Sequence, residues 1–229
     1  MKKYTAVVLF SGGQDSTTCL HYAIKQHGAA NLLALSIAYN QRHAIEMEAS
    51  AQIAEVAGVD RVKHSLDVMG QVGDSALVNA GEVIHADGRD DKDGKLPTSW
   101  VPGRNMMFLG LASMVAVKHK ARIVYAGVCQ EDYSGYPDCR QEFVEAMQVA
   151  ATLAMPTSLG PIEIKTPLMN LNKKQTVELA DRLGSDCWLA LGHSVTCYEG
   201  QRPGCGVCPA CELRAKGFKE AGMIDPATL

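Results

Sequence analysis

The chain has 229 residues, 47% of them hydrophobic, and a formal net charge of −3 at pH 7. This composition is enough for one sizeable core, and the charge balance gives no general attraction for nucleic acid, so we expect no RNA or DNA partner. No apolar stretch approaches the roughly twenty residues that span a bilayer, and only a strand-length apolar run follows Lys2 and Lys3. We therefore expect a soluble, cytoplasmic protein without membrane contact.

Short β-branched segments alternate with amphipathic segments along much of the chain. The predicted strands are Tyr4–Phe10, Asn31–Ala38, Arg61–Leu66 and Arg122–Val128. The predicted helices are Asp15–Gln26, Ala44–Ala57, Asn105–His119 and Gln141–Leu153. Alternation of this kind is typical of an α/β fold with a parallel sheet covered on both faces. Ligands of such sheets bind beyond the carboxyl ends of the strands.

The first predicted strand is followed by the stretch SGGQDS, in which we place a turn at Ser11–Gln14. The two glycines allow the main chain to close on a phosphate, while the following helix N-terminus supplies amide groups and a favourable dipole. A simpler interpretation is that the glycines only turn the chain and that Asp15 or Ser16 only caps the helix. The stretch matches neither the Walker loop nor the G-x-G-x-x-G fingerprint.

The segment Gly81–Trp100 is rich in Gly, Asp and Lys and shows no periodicity. We interpret it as an insertion, either a solvated loop or a lid that becomes ordered when a ligand binds. The stretch VPGRN follows and places Arg104 at the start of the next predicted helix. A cation there opposes the helix dipole, so we expect Arg104 to be compensated by an anionic ligand or by an ordinary salt bridge.

The stretch SGYPDCR, residues 134–140, follows the fourth predicted strand. Its Ser, Gly and Pro favour a tight turn. Tyr136, Asp138 and Arg140 then offer a ring face, a hydrogen-bond acceptor and a guanidinium within one loop. The stretch is either a solvent-exposed Asx turn or a loop whose stacking, accepting and anion-binding groups face a ligand.

Eight cysteines occur in the chain, and parity alone would allow four disulfides. A reducing compartment and a chain of this size favour thiol or metal chemistry instead. Four of the eight lie close together near the end, at Cys197, Cys205, Cys208 and Cys211. Four thiolates at this spacing suit a structural, tetrahedral Zn²⁺ that holds the final helix, Pro209–Ala221, against the domain. An iron–sulfur cluster is the alternative, although the C-x3-C-P continuation of the ferredoxin pattern is missing.

The stretch SGGQDS resembles the S-G-G-x-D-S loop of the ATP pyrophosphatase (PP-loop) families. Together with QRH, VPGRN, SGYPDCR, TPLM and the four-cysteine tail, which occur in the family's order over nearly the whole chain, it makes the sequence similar to one PP-loop family, 7-cyano-7-deazaguanine synthase. The resemblance implies an adenine-nucleotide-hydrolase-like, Rossmann-type α/β fold over residues 1–190 and a small C-terminal zinc-binding module over residues 191–229. The family's second loop reads D-Y-G-Q-R-H, whereas this chain has Ala38 and Asn40 at its first and third positions.

This resemblance implies an ATP-dependent carbon–nitrogen ligase of queuosine biosynthesis. Such an enzyme converts 7-carboxy-7-deazaguanine and ammonia to 7-cyano-7-deazaguanine (preQ0) by adenylating the carboxylate, forming the amide and dehydrating the amide to a nitrile. The chain has no second domain left over to make ammonia from glutamine, so free ammonium is the expected nitrogen source. The resemblance also suggests a homodimer.

The resemblance further implies roles for individual residues. ATP with Mg²⁺ would be bound by Phe10, Ser11, Gly12, Gly13, Gln14, Asp15, Ser16, Thr17 and Lys173. We place Lys173 at the start of a helix that Asn172 opens, where it is equally well interpreted as a solvated lysine. The catalytic residues would be Asp15, Ser16 and Arg104. The substrate would be bound by Arg42, Arg104, Tyr136, Asp138 and Arg140, with guanidinium groups on its carboxylate.

Two other functions are compatible with parts of the pattern. A tRNA-thiolating PP-loop enzyme would use the same ATP loop, but it needs an RNA-binding surface and reactive thiols. A nucleotide sensor with a metal-bound tail would bind ATP without converting it to AMP.

Overall fold

The computed structural model describes residues 1–39, 45–69, 75, 77–78, 96, 98–130 and 136–229. The strands in this part of the chain are β1 (Ala6–Leu9), β2 (Leu32–Ala38), β3 (Asp60–Ser65), β4 (Ile123–Tyr125) and β5 (Glu163–Lys165). The α-helices are α1 (Gln14–His27), α2 (Ile45–Val56), α3 (Arg104–Lys118), α4 (Gln141–Ala154), α5 (Lys173–Leu183), α6 (Ser185–His193) and α7 (Pro209–Ala221).

The strands form one parallel sheet in the order β3-β2-β1-β4-β5. β1 lies at the centre, where Val7 pairs with Leu33 of β2 on one side and with Val124 of β4 on the other. This order is that of the Rossmann-type doubly wound folds, and it confirms the predicted α/β parallel sheet. The order reverses beside β1, so a crevice is expected above the carboxyl ends of β1 and its neighbours.

The apolar runs of the central strands are explained by helices on both faces of the sheet. Val7 and Leu35 point to the face that α3 and α4 cover. Val8, which follows Val7, and Ala34, which precedes Leu35, point to the face that α1 and α2 cover. Because alternate strand residues enter different cores, β2 is buried over its first six residues. The buried polar residue among these six, Ser36, donates a hydrogen bond to the Phe10 carbonyl at 2.8 Å.

The predicted strands and helices agree with the structure to within a few residues at their ends. β4 spans only Ile123–Tyr125, shorter than the predicted strand, and α1 begins at Gln14, which we had placed in the turn. β5 and α6 were not predicted. β5 has three residues, EIK, of which only Ile164 is buried, so it is too short for its alternation to indicate a strand.

The C-terminal third adds three helices that pack on one another beside the sheet. Val177 of α5, Leu191 of α6 and Phe218 of α7 share a small core. The predicted start of α5 is confirmed, since Asn172 accepts a hydrogen bond from the Gln175 backbone in a capping box. The predicted bounds of α7 are also confirmed: a proline begins the helix and a glycine in the left-handed region ends it.

The predictions on membrane contact and on the insertion can be compared only with the described residues. No helix within the described residues is long and apolar enough to cross a membrane. The predicted insertion, Gly81–Trp100, lies outside the described residues except at positions 96 and 98–100, and its interpretation as loop or lid stays a prediction.

Candidate active site

A cavity of about 310 Å³ lies at the carboxyl ends of β1, β2 and β4. Its wall includes most of the segment from Phe10 to Ser16, which connects β1 to α1. Tyr39 after β2, Glu46 on α2 and Arg104 on α3 add to this wall, as do residues 195–198 from the C-terminal third. The cavity therefore lies where ligands of parallel α/β sheets bind, and its described walls come from both ends of the chain.

The SGGQDS stretch forms a turn that is held together by its own hydroxyl groups. The Ser16 hydroxyl accepts a hydrogen bond from the Gly12 backbone N–H at 3.2 Å and donates to the Gly13 carbonyl at 3.1 Å. The Ser11 hydroxyl accepts from the Gly13 N–H at 3.2 Å. The N-cap position of α1 is Gly13, which has no side chain, so neither Asp15 nor Ser16 is the N-cap residue of this helix. The helix N-terminus faces the cavity wall with its dipole available to an anion.

Gly12 is a position that only glycine can occupy. Its φ is +87°, and a Cβ built on it would lie 2.7 Å from the Ser50 backbone nitrogen and 2.8 Å from the Glu46 carbonyl oxygen. A side chain would thus collide with the backbone of α2 while adopting a strained conformation. The ATP-loop candidate is therefore packed directly on the first turns of α2.

Lys173 lies beside this loop. Its Nζ donates to Asp15 Oδ2 at 2.6 Å, and its side chain is only 11% exposed. The pair joins the first turn of α5 to the first turn of α1, at two helix N-termini. The structure thus brings together the predicted ATP residues of the loop and Lys173, while Thr17 lies buried on α1 one residue beyond the turn.

Arg104 begins α3 and is surrounded by aromatic side chains. Its guanidinium lies over the ring of Tyr136, 5.7 Å from the centroid. Tyr39 and Tyr198 are the other neighbours whose hydroxyls act on it. Burial raises the pKa of Tyr198 well above its usual value, so at neutral pH this residue is a phenol that donates or accepts hydrogen bonds.

The other residues predicted to bind substrate lie behind Arg104 or outside the described chain. Tyr136 is buried, with its hydroxyl 2.7 Å from that of Ser99. Asp138 is also buried, and its Oδ2 accepts from the Asn105 backbone N–H at 2.9 Å, which satisfies the start of α3. Arg140 is the residue before α4. These residues are not among those that line the described cavity.

Arg42 lies outside the described residues, as do Ser134 and Gly135 of the SGYPDCR stretch. The side of the cavity that these segments would form is therefore not described. Their predicted contacts with substrate stay predictions.

Glu46 is a cavity residue that the sequence analysis did not identify. It lies in the first turn of α2 and lines the cavity. Burial raises the pKa of its carboxyl to about 7, and the nearby Arg104 guanidinium opposes that rise. The only available signal was its position shortly after the QRH stretch, which by itself does not predict where a helical glutamate points.

The segment of residues 194–198 connects the C-terminal third to the ATP loop, and it was also missed. The Val195 N–H donates to the Gly12 carbonyl at 3.0 Å, and the Thr196 hydroxyl accepts from the Gln14 N–H at 3.4 Å. The Gly12 carbonyl and the Gln14 N–H have no partner within the loop itself. Residues about 180 positions later in the chain supply their hydrogen bonds.

Arg214 of α7 fixes the 194–198 segment. Its Nη1 donates to the Ser194 hydroxyl at 2.8 Å and to the Thr196 hydroxyl at 3.2 Å. Its Nε and Nη2 form a bidentate pair with Asp225 at 2.6 and 2.8 Å. Arg214 is 5% exposed, so this network is a buried, charge-assisted connection between the C-terminal helix and the loop.

The four cysteines predicted to bind a metal lie together. One ligand sulfur from each residue falls within 4.8 Å of the others, and the Sγ atoms of Cys205 and Cys211 are 3.9 Å apart. Zn–S bonds of about 2.3 Å in a tetrahedron place sulfurs about 3.8 Å apart, so this cluster has the size that a metal ion needs. Cys197, Cys205, Cys208 and Cys211 therefore form a site that can hold a metal ion.

Backbone amides already favour thiolate at one of these positions. The Cys208 N–H donates to the Cys205 sulfur at 3.3 Å. Desolvation opposes ionisation, but hydrogen bonds from the backbone amides of Val207 and Cys208, together with those from the Cys197 and Cys208 side chains, lower the pKa of Cys205 to about 7. The thiolate form is the one that binds metal.

The sheet order, the glycine turn packed on α2 and the cavity above β1 define an α/β nucleotide-binding protein of the PP-loop type. A family model described as queuosine biosynthesis protein QueC matches residues 5–222. The 7-cyano-7-deazaguanine synthase of Chromobacterium violaceum is 45% identical over 221 residues, which cover 96% of this chain and 92% of that protein. The protein of the same name from Bacillus subtilis is 45% identical over 221 residues, 96% of each chain. The chain belongs to the QueC family.

Proposed function

We propose that this protein converts 7-carboxy-7-deazaguanine and ammonia to 7-cyano-7-deazaguanine at the expense of ATP, as an ATP-dependent carbon–nitrogen ligase of queuosine biosynthesis. The observation that carries the proposal is membership of the QueC family over almost the whole chain. The relatives named 7-cyano-7-deazaguanine synthase are also matched over nearly their full length. The glycine turn at the cavity supports it, because this chemistry needs a site for the pyrophosphate of ATP.

The chemistry explains why ATP is needed twice. A carboxylate has no leaving group, so one oxygen must first be joined to the α-phosphorus of ATP, which releases pyrophosphate. Ammonia then displaces AMP and gives the amide. The amide oxygen is adenylated in turn, and loss of this second AMP gives the nitrile.

We assign the pyrophosphate to the turn after β1. Its proposed contacts are Phe10, Ser11, Gly12, Gly13, Gln14, Asp15, Ser16 and Thr17, with Lys173 adding positive charge. The short Asp15–Lys173 contact supports this assignment, since it holds both side chains at the helix N-terminus. Mg²⁺, when bound there, would neutralise phosphate charge, and the Asp15 carboxylate and Ser16 hydroxyl are oxygen ligands of the kind that Mg²⁺ prefers.

Arg104 is the proposed contact for the substrate carboxylate. It is the cation on the described cavity wall, and its planar guanidinium matches a carboxylate with two hydrogen bonds. Arg42, Tyr136, Asp138 and Arg140 are proposed to complete the deazaguanine site. Support for Tyr136 comes from its ring, which lies under the Arg104 guanidinium, while its hydroxyl contacts Ser99. Support for Asp138 comes from its hydrogen bond with the backbone of Asn105, the residue after Arg104.

The metal of the cysteine cluster is proposed to be Zn²⁺, held by Cys197, Cys205, Cys208 and Cys211 within a module of residues 191–229. A closed set of four sulfurs leaves no position for water, so the ion would stabilise the fold rather than take part in the reaction. The geometry supports a further consequence: Cys197 is itself part of the 194–198 segment that lines the cavity, so the bound ion would also hold this wall in place.

We propose that the protein acts as a homodimer in the cytoplasm, uses free ammonium and binds no nucleic acid. Support for the dimer comes from an apolar surface on two neighbouring helices, where Met107 and Met114 of α3 and Val149 and Leu153 of α4 are exposed. Light scattering of the wild type and of Met114→Glu with Leu153→Glu tests it: the double variant should shift from dimer to monomer.

Mass spectrometry of a reaction with 7-carboxy-7-deazaguanine, ammonium chloride and Mg-ATP tests the proposed function. The expected product is the nitrile, with AMP and pyrophosphate formed in parallel. A second reaction without ammonium should stop before any nitrogen is incorporated. Conversion of ATP without change in the deazaguanine, or formation of ADP in place of AMP, would contradict the proposal.

A further inference from the structure

The described cavity wall carries two acidic residues, and they stand in different surroundings. Asp15 is bound to Lys173 at 2.6 Å. Glu46 lies on α2 beside the loop, lines the same cavity and has Arg104 as the charge that acts on it. We propose that the carboxylate of Glu46 is the general base that takes protons from the substrate nitrogen. This inference rests on the proposed function.

The position of Glu46 is fixed relative to the ATP loop. Its carbonyl oxygen lies against Gly12, where a Cβ would approach it to 2.8 Å. The next residue, Met47, offers its carbonyl to the Ser50 hydroxyl at 2.9 Å and to Arg61 Nη2 at 3.2 Å. The first turn of α2 is therefore bonded to β3 and packed on the loop, so the Glu46 side chain starts from a rigid backbone.

The chemistry requires a base near this carbon. Ammonia carries three N–H bonds and the nitrile carries none, so three protons must leave one nitrogen in the course of the reaction. Each must go to an acceptor close to the ATP loop, since the carboxylate oxygen and then the amide oxygen on the same carbon are adenylated there. A positioned base in such a step is typically worth about 10²- to 10⁴-fold in rate.

The first proton leaves during amide formation. The ammonia lone pair forms the C–N bond to the acyl adenylate, and the C–O bond to AMP breaks with its electron pair on the departing phosphate oxygen. The Glu46 carboxylate takes one proton from the attacking nitrogen. The products are the amide, AMP and the Glu46 carboxylic acid, which returns its proton to solvent.

The remaining two protons leave during dehydration. The amide oxygen forms a bond to the α-phosphorus of a second ATP and pyrophosphate leaves, while Glu46 takes one N–H proton and a C=N bond forms. Glu46 then takes the last N–H proton, the C≡N bond forms, and the C–O bond breaks to release AMP. The carboxyl must lose its proton to solvent after each transfer.

The electrostatic surroundings of Glu46 suit this cycle. Its pKa of about 7 lets the group accept a proton and release it again near neutral pH. Tyr39 is a poor alternative, because burial raises the pKa of its phenol. The titratable and charged groups that line the cavity with Glu46 are Asp15, Tyr39, Arg104, Cys197 and Tyr198. The elements that pack on α2 add Asp60, Arg61, Lys63 and His64 of β3 and Asp186, Cys187 and His193 of α6.

Glu46→Gln separates the steps that move a nitrogen proton from the one that does not. Formation of the acyl adenylate breaks no N–H bond, so exchange of labelled pyrophosphate into ATP, dependent on 7-carboxy-7-deazaguanine, should stay within about threefold of the wild type. Nitrile formation should fall by about 100-fold or more. The matched control is Glu48→Gln, an exposed glutamate two residues further along α2, which should leave both rates unchanged.

The pH dependence gives a second readout. With 7-amido-7-deazaguanine as substrate and no ammonium present, the wild-type rate should rise with pH to a plateau, with an apparent pKa near 7, because only the carboxylate form accepts a proton. Glu46→Gln should lose this dependence, and Glu46→Asp should retain it at a reduced rate.

The outcomes distinguish this inference from the proposed function. A wild type that makes no nitrile contradicts the proposed function itself. A wild type that makes nitrile, with a Glu46→Gln variant that matches it in rate and pH profile, overturns the role of Glu46 alone. Loss of pyrophosphate exchange together with nitrile formation in Glu46→Gln also overturns it, since the residue would then act on adenylation or on the fold.

Discussion

Replacing Arg214 with Met tests the connection between the C-terminal helix and the ATP loop. The substitution keeps an unbranched apolar stem and removes four hydrogen bonds to side chains and one to the Leu191 carbonyl. It also leaves Asp225, whose side chain is 15% exposed, without its cation. The variant therefore loses a buried ion pair and the support of the 194–198 segment in one step.

The expected loss is large. Breaking a buried pair by removing one partner costs about 3–5 kcal/mol. Since 1 kcal/mol shifts the Tm of a chain of this size by about 2–4 °C, the Tm should fall by roughly 6–20 °C. The ATP loop should also lose support, because the Thr196 hydroxyl that accepts from the Gln14 N–H is no longer held by Arg214. One weakened hydrogen bond predicts a rise of about two- to tenfold in the KM for ATP.

Thermal unfolding followed by circular dichroism, with KM for ATP measured well below the Tm, checks both effects. The control is Lys216→Met, two residues along α7, where an exposed pair with Glu220 at 3.8 Å is worth less than about 1 kcal/mol. Arg214→Lys should fall between, as it keeps the charge without the planar fork. If Arg214→Met has the Tm and KM of Lys216→Met, the 194–198 segment does not support the loop as argued.

Three further predictions concern the loop, the metal and the intermediate. Asp15→Asn and Ser16→Ala should each lower the rate of AMP formation by about 10²–10³-fold in a protein that still folds, because these groups stabilise charge in the reaction and are not part of the apolar core; wild-type rates in both would refute the ATP-loop assignment. Purified protein should contain about one zinc per chain by metal analysis, and Cys208→Ser should lower both the zinc content and the Tm; a brown protein with iron–sulfur absorption would reverse the assignment. Synthetic 7-amido-7-deazaguanine should be converted to nitrile without ammonium, and it should accumulate when ATP is limiting; an added amide that stays untouched while the acid is consumed would refute this order of steps.

The sequence predicted those features that depend on local pattern. Alternation of apolar strands and amphipathic helices predicted the parallel sheet, and the proline and glycine around Pro209–Ala221 predicted both ends of α7. The four cysteines are close in sequence, so their spacing predicted the cluster directly. The glycine turn after β1 was found because it directly follows a buried strand and directly precedes a helix.

The features that the sequence did not predict depend on contacts between distant segments. Glu46 lines the cavity because α2 packs on Gly12, and the sequence of α2 alone does not predict that contact. Residues 194–198 bond to a loop about 180 residues earlier, and Arg214 holds them through atoms of Ser194 and Thr196. Lys173 could be placed at a helix start but not beside Asp15, because its environment depends on how α5 packs against α1.

The central claim is that the two oxygens of the substrate carboxylate are adenylated in turn and leave with AMP, and oxygen labelling tests it most directly. 7-Carboxy-7-deazaguanine carrying ¹⁸O at both carboxylate oxygens is converted with ammonium and Mg-ATP, and AMP, pyrophosphate and nitrile are analysed by mass spectrometry. We predict two molecules of AMP for each nitrile, each with one ¹⁸O, and no label in pyrophosphate. One AMP per nitrile, or an unlabelled AMP pool with label released to water, would contradict the account.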